Sequence, residues 1–423
     1  MALPPPPERE GIRAKHLMTT DSRFVIVGGG LAAAKLAEAL RDNDFAGSLT
    51  LLAAEEHLPY ERPPLSKEHL LGKKALSDFT AQPAQWYRDH HVEVMLGTSV
   101  STVDRASKTV ALPDGSTLPY DKLALATGSR TRRLPIPGVD AAGVYRLRTI
   151  EESDALIELF GTARRLVVIG AGWIGLEVTA AAREHGLEVT VLESEAAPLL
   201  AALGPAMGEV FAQLHRAHGV DLRCGVRVAE IRTADGRATG VRLDDDTVIE
   251  ADAVLLAVGA RPNTELAVDA GLAVEGGVLV DESLATSDPD IVAVGDIADQ
   301  QHPVLGRRIR VEHWANALNQ PAVAALTMLG KPATYDRLPY FFTDQYDLGM
   351  EYTGYVAPGQ QTTVVTRGDV AAREFVACWL DSGNRVLAGM NVNVWDVTDR
   401  IRELILAGEP VDPQRLADTS IPL

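Results

Sequence analysis

Two glycine-spaced stretches are the residues best suited to hold a charged ligand. Gly28, Gly30 and Ala33 of GGGLAA fit G-x-G-x-x-A, and Gly170, Gly172 and Gly175 of GAGWIG fit G-x-G-x-x-G. At that spacing the first glycine makes a tight turn and the second lets backbone approach a pyrophosphate. The helix that follows turns its positive end toward the phosphate charge. One such match is equally a plain strand-to-helix turn, but two in the same context point to two dinucleotide sites. The strand after the second, LEVTVLE, ends at Glu193. A carboxylate there can accept hydrogen bonds from both ribose hydroxyls and repels a 2′-phosphate, and no arginine follows until Arg216, which predicts NADH over NADPH. A third strand end, VGD at 294–296, offers Gly295 and Asp296, a carboxylate able to hold a sugar-alcohol chain.

These residues need strands and helices to position them, and the chain supplies that order twice. FVIVGGGLAAAKLAEALR from Phe24 and LVVIGAGWIGLEVTAAAREHG from Leu166 each read as apolar strand, glycine turn and alanine-rich helix. Each unit continues into β-rich sequence and closes on a similar phrase, PDGSTLPYDKLALATG ending at Gly128 and DDDTVIEADAVLLAVG ending at Gly259. The apolar strand DIVAVGD then needs a sheet to join, and a return to the first module makes the second an insertion. Beyond Gly330 the texture changes to aromatic and β-branched strands, with a closing helix in which Ile401, Leu404 and Ile405 share a face, Gly408 caps and Pro410 stops.

The expected organisation is an α/β chain with two Rossmann-like dinucleotide-binding domains and a separate C-terminal α+β domain. The first nucleotide domain is discontinuous, 22–133 with 260–331; the second is 134–259, and the C-terminal domain is 332–423. Residues 1–21 read as a disordered lead-in with no apolar signal core, and Met18 could serve as the start.

Composition limits the partners. The formal net charge of −18 disfavours nucleic acid and anionic membrane, and an acidic partner would require a local basic patch such as RRIR at 307–310. No apolar run approaches the roughly 18 residues that span a bilayer. The two cysteines, Cys224 and Cys378, stand far apart, so neither a disulfide framework nor a metal site is indicated and a reducing cytoplasm is expected.

With PYERPPLSK at 59–67, both glycine fingerprints, ATG at 126–128 and VGD in that order, the chain resembles the flavin-dependent ferredoxin reductases of bacterial oxygenase and cytochrome P450 systems. The resemblance covers about residues 22–423. It implies the glutathione-reductase fold, FAD on the first module, NADH on the second, and an iron-sulfur ferredoxin as transient partner of a monomer or weak dimer. It places Ala32, Arg62, Val100, Thr127, Gly128, Arg148 and Asp296 at FAD, and Gly259 closes the NAD module. Trp314 of VEHWANA falls beside the isoalloxazine. Lys67 matches the lysine near flavin N5, with Glu177 of GWIGLE as its partner; an ammonium there stabilises charge building on a reduced flavin, and the carboxylate holds it in place.

Disulfide reductases of that fold carry a C-x-x-x-x-C pair near the flavin, whereas this chain has RPPLSK and no cysteine before Cys224, so electrons must leave the flavin directly. That suits a one-electron acceptor. Two departures stand out. The acid usual thirteen residues before the lysine is Ala54 here, with Glu55 as the expected substitute, and the arginine often found after E-x-W-x-N-A is replaced by Gln320-Pro321-Ala322. The alternatives are reduction of rubredoxin, a quinone or monodehydroascorbate, or an NADH-sensing interaction protein similar to apoptosis-inducing factor, which GMNVNVW at 389–395 resembles.

Overall fold

The computed structural model describes residues 21–423, so the expected lead-in, apart from Asp21, lies outside the described residues. The first glycine loop leaves the centre of a five-stranded parallel sheet ordered Ile291–Ala293, Lys122–Leu125, Arg23–Val27, Ser48–Leu52, Val92–Met95. Four successive apolar residues, Phe24 to Val27, are all buried, as a strand covered on both faces requires. One cover is the helix Leu31–Asp42, whose small residues Ala33, Ala34 and Ala37 let it lie close to the sheet. The helix Trp314–Met328 packs against it.

The second sheet repeats the design in the order Asp221–Cys224, Glu188–Glu193, Arg165–Ile169, Ala253–Leu256, Val144–Tyr145, again all parallel. Each parallel sheet is accompanied by a three-stranded antiparallel meander, 102–119 in the first module and 228–250 in the second. The strand Ile291–Ala293 pairs with Lys122–Leu125, so the chain returns to its first sheet after building the second. Where it leaves and re-enters, Ser129–Thr131 and Ala260–Pro262 pair antiparallel. Thr127 and Asn263 exchange bonds beside them: the Thr127 hydroxyl donates to the Asn263 carbonyl at 2.7 Å, and the Asn263 amide donates back at 2.8 Å.

The C-terminal part is a five-stranded antiparallel sheet ordered Tyr340–Gln345, Leu348–Gly354, Val386–Val392, Glu374–Leu380, Thr363–Asp369. One face has its own core, with Val376, Cys378 and Val386 under Ile401 and Leu416. The other face is continuous with the second module: Phe375, Trp379 and Met390 share a core with Met207, Phe211 and Leu214 of the segment Leu200–Ala217. Trp379 donates its indole N–H to the Leu203 carbonyl at 3.3 Å. The expected independence of this domain is therefore limited to one face.

The helix Thr398–Ala407 does end on a left-handed Gly408 with φ 63°, yet it does not close the chain. Asp412 caps a further short helix, Pro413–Ala417, by accepting from the Gln414 N–H. Pro410 lies just past the end of the first of these helices, and Pro413, at the first position of the second, has its φ pre-set for a helix.

Candidate active site

The carboxyl ends of the first sheet's strands, where ligands of open parallel sheets bind, open onto a cavity of about 520 Å³. Gly28, Gly30 and Ala32 form one wall, Glu55, Arg62 and Lys67 a second, and Val100, Thr127, Gly128 and Arg148 a third. Gly295, Asp296 and Trp314 close it from the returning segment. Trp173, Ile174 and Glu177 reach in from the second module, Phe341 and Phe342 from the C-terminal sheet. Ala33 lies behind the loop, fully buried against the sheet. Gly170, Gly172, Gly175, Glu193 and Gly259 are not in this cavity; they lie at the corresponding end of the second sheet, on its glycine loop, the helix after it and the ends of neighbouring strands.

The two glycine loops obey one steric rule. At Gly28, with φ 142°, a Cβ would fall 2.1 Å from the Ala126 carbonyl oxygen, and at Gly170, with φ 103°, 2.4 Å from that of Ala257. Only glycine lets the loop cross the neighbouring strand's end that closely. Gly30 and Gly172 face nothing within 4 Å, which leaves their backbone bare toward a ligand. Glu193 braces the second loop: Oε2 accepts the Ala171 N–H at 2.7 Å and Oε1 accepts the Glu195 N–H at 2.9 Å.

Lys67 follows the short 3₁₀ turn Pro63–Ser66, in which two prolines pre-set the backbone. Its side chain is almost enclosed. Nζ lies 2.9 Å from Glu177 Oε1 and 5.1 Å from the centre of the Phe342 ring. Glu177, on the buried face of the helix Trp173–Glu184, also accepts from the hydroxyls of Ser66 and Thr343, the latter at 2.6 Å. A buried ion pair survives only when its remaining lone pairs are satisfied, and here they are.

Around this pair most other polar groups are paired as well. Arg148 reaches Asp296 at 2.6 Å, but its Nε is buried without a partner. Arg310 donates to the Asp296 carbonyl at 3.1 Å. Arg62 pairs with Glu55 at 2.6 Å and donates to the Arg148 carbonyl. Tyr60 takes the second Glu55 oxygen, so that carboxylate is turned to the loop's own arginine and phenol. Trp314 donates its indole N–H to Glu61 at 2.9 Å and meets Phe342 edge to face.

Several residues that line the cavity or support its lining carried no signal in the sequence. Ser66 and Glu61 lay inside the stretch that drew attention to Lys67, but nothing in their type marked a partner. Phe342 and Thr343 come from a strand almost 280 residues downstream, where an alternating aromatic pattern reads only as sheet. His313 lines the cavity with Nδ1 unpartnered, and burial pushes its pKa down to about 4 against the opposing pull of Asp296. Gln320, in the stretch where an arginine is often found, is buried and accepts the Gly295 N–H at 2.7 Å, so it supports the cavity wall and not the surface.

Neither cysteine borders the cavity. Cys224 sits at the edge of the second sheet beside Glu193, and Cys378 is buried beneath the terminal helices, its thiol pushed up to about 12 by burial. Among the described residues no helix is long and apolar enough to cross a membrane.

Comparison with known proteins matches two family descriptions, "Pyridine nucleotide-disulphide oxidoreductase" over residues 22–320 and "Reductase C-terminal" over 340–423. The chain is 40% identical to rhodocoxin reductase of Rhodococcus erythropolis over 95% of its own length and 93% of that protein's. It is 41% identical to the ferredoxin–NAD(+) reductase component of the anthranilate 1,2-dioxygenase system of Burkholderia cepacia, covering 95% of this chain and 98% of that one. Among solved structures, the covalent putidaredoxin reductase–putidaredoxin complex superposes with a TM-score of 0.91 at 35% identity, over 96% of this chain and 97% of that chain. With two glycine loops, a lysine–glutamate pair between them and a C-terminal sheet closing the cavity, the chain belongs to the pyridine nucleotide-disulphide oxidoreductase family, in the branch of ferredoxin reductases that carry the reductase C-terminal domain.

Proposed function

We propose that the protein is a ferredoxin–NAD(+) reductase, which moves electrons from NADH through bound FAD to an iron-sulfur ferredoxin serving a cytochrome P450 or Rieske oxygenase. The observation that carries this reading is the buried Lys67–Glu177 pair between two dinucleotide loops, in a cavity that no cysteine borders.

The cavity fits FAD on its own features. Bare backbone at Gly30 meets the start of a twelve-residue helix, the place for a pyrophosphate. The orphaned Arg148 Nε and His313 Nδ1 are buried polar atoms that a ligand would satisfy. When bound, the flavin accepts a hydride as an electron pair and releases electrons singly.

The residue roles follow. Gly28, Gly30 and Ala32 would cradle the FAD pyrophosphate, with Ala33 behind them packing the helix against the sheet and Arg62, Val100, Thr127, Gly128 and Arg148 along the rest of the cofactor. Gly295 and Asp296 would hold its ribityl chain, Trp314 would flank the isoalloxazine, and Lys67, its ammonium fixed by Glu177, would stabilise charge on the reduced flavin. Gly170, Gly172, Gly175 and Gly259 seat NADH, and Glu193 takes its adenine ribose. Glu55, already shared by Arg62 and Tyr60, acts mainly by setting Arg62. In domain terms, residues 22–133 with 260–331 carry FAD, 134–259 carry NADH, and 332–423 close the flavin site. Two unpaired thiols suit a cytoplasmic setting.

The test is reconstitution with a two-iron or four-iron ferredoxin and cytochrome c as the final reporter. Cytochrome c reduction by NADH should require both the protein and the ferredoxin. Equal rates without ferredoxin, or fast direct reduction of a quinone or monodehydroascorbate, would overturn the acceptor assignment.

A further inference from the structure

Behind Glu177 runs a line of buried polar side chains that neither dinucleotide loop needs. Thr343 Oγ1 lies 2.6 Å from Glu177 Oε1, Gln345 Nε2 lies 3.1 Å from Thr343 Oγ1, and His215 Nε2 lies 2.9 Å from Gln345 Oε1. Tyr346 Oη stands 3.3 Å from His215 Nδ1, and His218 stacks on the Tyr346 ring at 3.7 Å. Thr343 and Gln345 are two apart on one strand, so their side chains leave the same face. Thr343, Gln345 and His215 are at most 1% exposed. They interrupt an otherwise apolar core between the segment 200–217 and the C-terminal sheet.

The donor and acceptor chemistry allows one direction only. A Glu177 carboxylate opposite Lys67 can only accept, so the Thr343 hydroxyl must donate to it. The Thr343 oxygen then accepts from the Gln345 amide nitrogen, which turns the Gln345 oxygen toward His215. His215 must donate through Nε2–H, leaving Nδ1 to accept from the Tyr346 hydroxyl. Burial, which pushes His215 down to about 4 against the Gln345 bond, agrees with that neutral tautomer. Every hydrogen in the line points toward Glu177, and breaking any link leaves a buried polar group unpaired.

We propose that Thr343, Gln345 and His215 are positioning residues for flavin reduction: a one-way donor chain from the second module and the C-terminal sheet that keeps the Glu177 carboxylate turned to Lys67. The inference rests on the assignment of Lys67 and Glu177 to the flavin. It explains why three polar side chains occupy a core position where apolar ones would pack at lower cost. It also gives the C-terminal sheet a part in flavin chemistry beyond covering the cavity.

The experiment uses FAD-loaded protein and reads the midpoint potential of the bound flavin together with its rate of bleaching by NADH. Thr343→Val, which removes the hydroxyl at nearly constant volume, should lower the equilibrium constant for flavin reduction about tenfold, or about 30 mV for a two-electron couple. Thr343→Ser should restore it to within about twofold, and Gln345→Leu and His215→Leu should shift it in the same direction as Thr343→Val. On a Glu177→Gln background, Thr343→Val should add nothing, because the group it positions is gone. An unchanged potential in Thr343→Val where Glu177→Gln shifts it, or additive shifts in the double variant, would overturn the chain. An unchanged potential in Glu177→Gln itself would instead overturn the placement of the Lys67–Glu177 pair at the flavin.

Discussion

Lys67 and Glu177, 110 positions apart in sequence, meet at 2.9 Å inside the cavity, one from the turn of the first module and the other from the helix that follows the glycine loop of the second. The contact joins the two nucleotide modules, and in the proposed function hydride would cross between their ligands beside it. Replacing Lys67 with alanine should therefore slow flavin bleaching by NADH and lower the flavin potential, by the equivalent of roughly 1 to 3 kcal/mol for a lost charge-assisted contact. Because that variant strands a buried carboxylate, Lys67→Ala with Glu177→Gln should recover stability but not rate. Stopped-flow reduction at the wild-type rate would refute the assignment.

Glu193 is the residue proposed to carry the choice of nicotinamide. Its oxygens brace the second glycine loop, and Arg216, the first arginine after it, is paired with Glu209 at 3.7 Å. NADH should show a higher kcat/KM than NADPH. Glu193→Ala should narrow that difference mainly by raising KM for NADH, since both a ribose acceptor and the loop's brace are lost. Steady-state kinetics with both cofactors test this, and a preference for NADPH in the unaltered protein would sink it.

Much of this site was legible because its parts are local. A glycine at which an added Cβ would fall 2.1 Å from a carbonyl oxygen leaves its mark at one position, and the strand before it and the helix after it mark the context. The parallel sheets followed from apolar runs such as FVIV. The support of the site was not legible, because it consists of ordinary residues whose role depends on distant chain. Thr343 and Gln345 look like any alternating polar positions of a sheet, and His215 reads as a helix-end cation. The run RRIR showed its charge but not that the Arg308 guanidinium donates to the carbonyls of Val280 and Asp299. A hydrogen bond to a backbone carbonyl leaves no signature in side-chain type.

If electrons leave the flavin directly, the thiols are dispensable. Cys224→Ser with Cys378→Ser should keep ferredoxin reduction within about twofold of wild type. The Cys378 change should cost some stability, because a hydroxyl replaces a buried thiol beneath the terminal helices. Cytochrome c assays and thermal melts of the FAD-loaded double variant decide this. Loss of electron transfer in protein that remains folded and yellow would contradict the path drawn here.

His215 makes the protein acid-sensitive. Folded, it stays neutral to about pH 4, whereas the same imidazole in the unfolded chain takes up a proton near 6.5. Between those values the unfolded state binds more protons, so stability is complete above about pH 6.5 and is lost as pH falls toward 4. For one fully buried imidazole the loss is roughly 3 kcal/mol. Urea unfolding midpoints measured from pH 7 to 4 should fall less steeply in His215→Leu than in wild type, and parallel curves would remove His215 as the cause.

An acidic ferredoxin approaching a body of charge −18 needs local attraction, and the structure narrows the source. Of the basic run, Arg308 is tied to two backbone carbonyls, and Arg310 to the Asp296 carbonyl and to Glu312. Arg307 is exposed at the end of its strand with no ion pair among the described residues, beside a hairpin tip at which Val304 is 44% exposed. Glu312, paired with Arg310, lines the cavity, so this hairpin stands next to the proposed flavin site. Arg307→Glu alone should raise KM for ferredoxin and flatten its dependence on salt, while NADH bleaches the flavin at an unchanged rate. Arg308→Glu should instead destabilise the hairpin, because it removes donors from two carbonyls. If Arg307→Glu leaves both KM and the salt response as they were, the ferredoxin docks on another face and Arg307 is only a solvated charge.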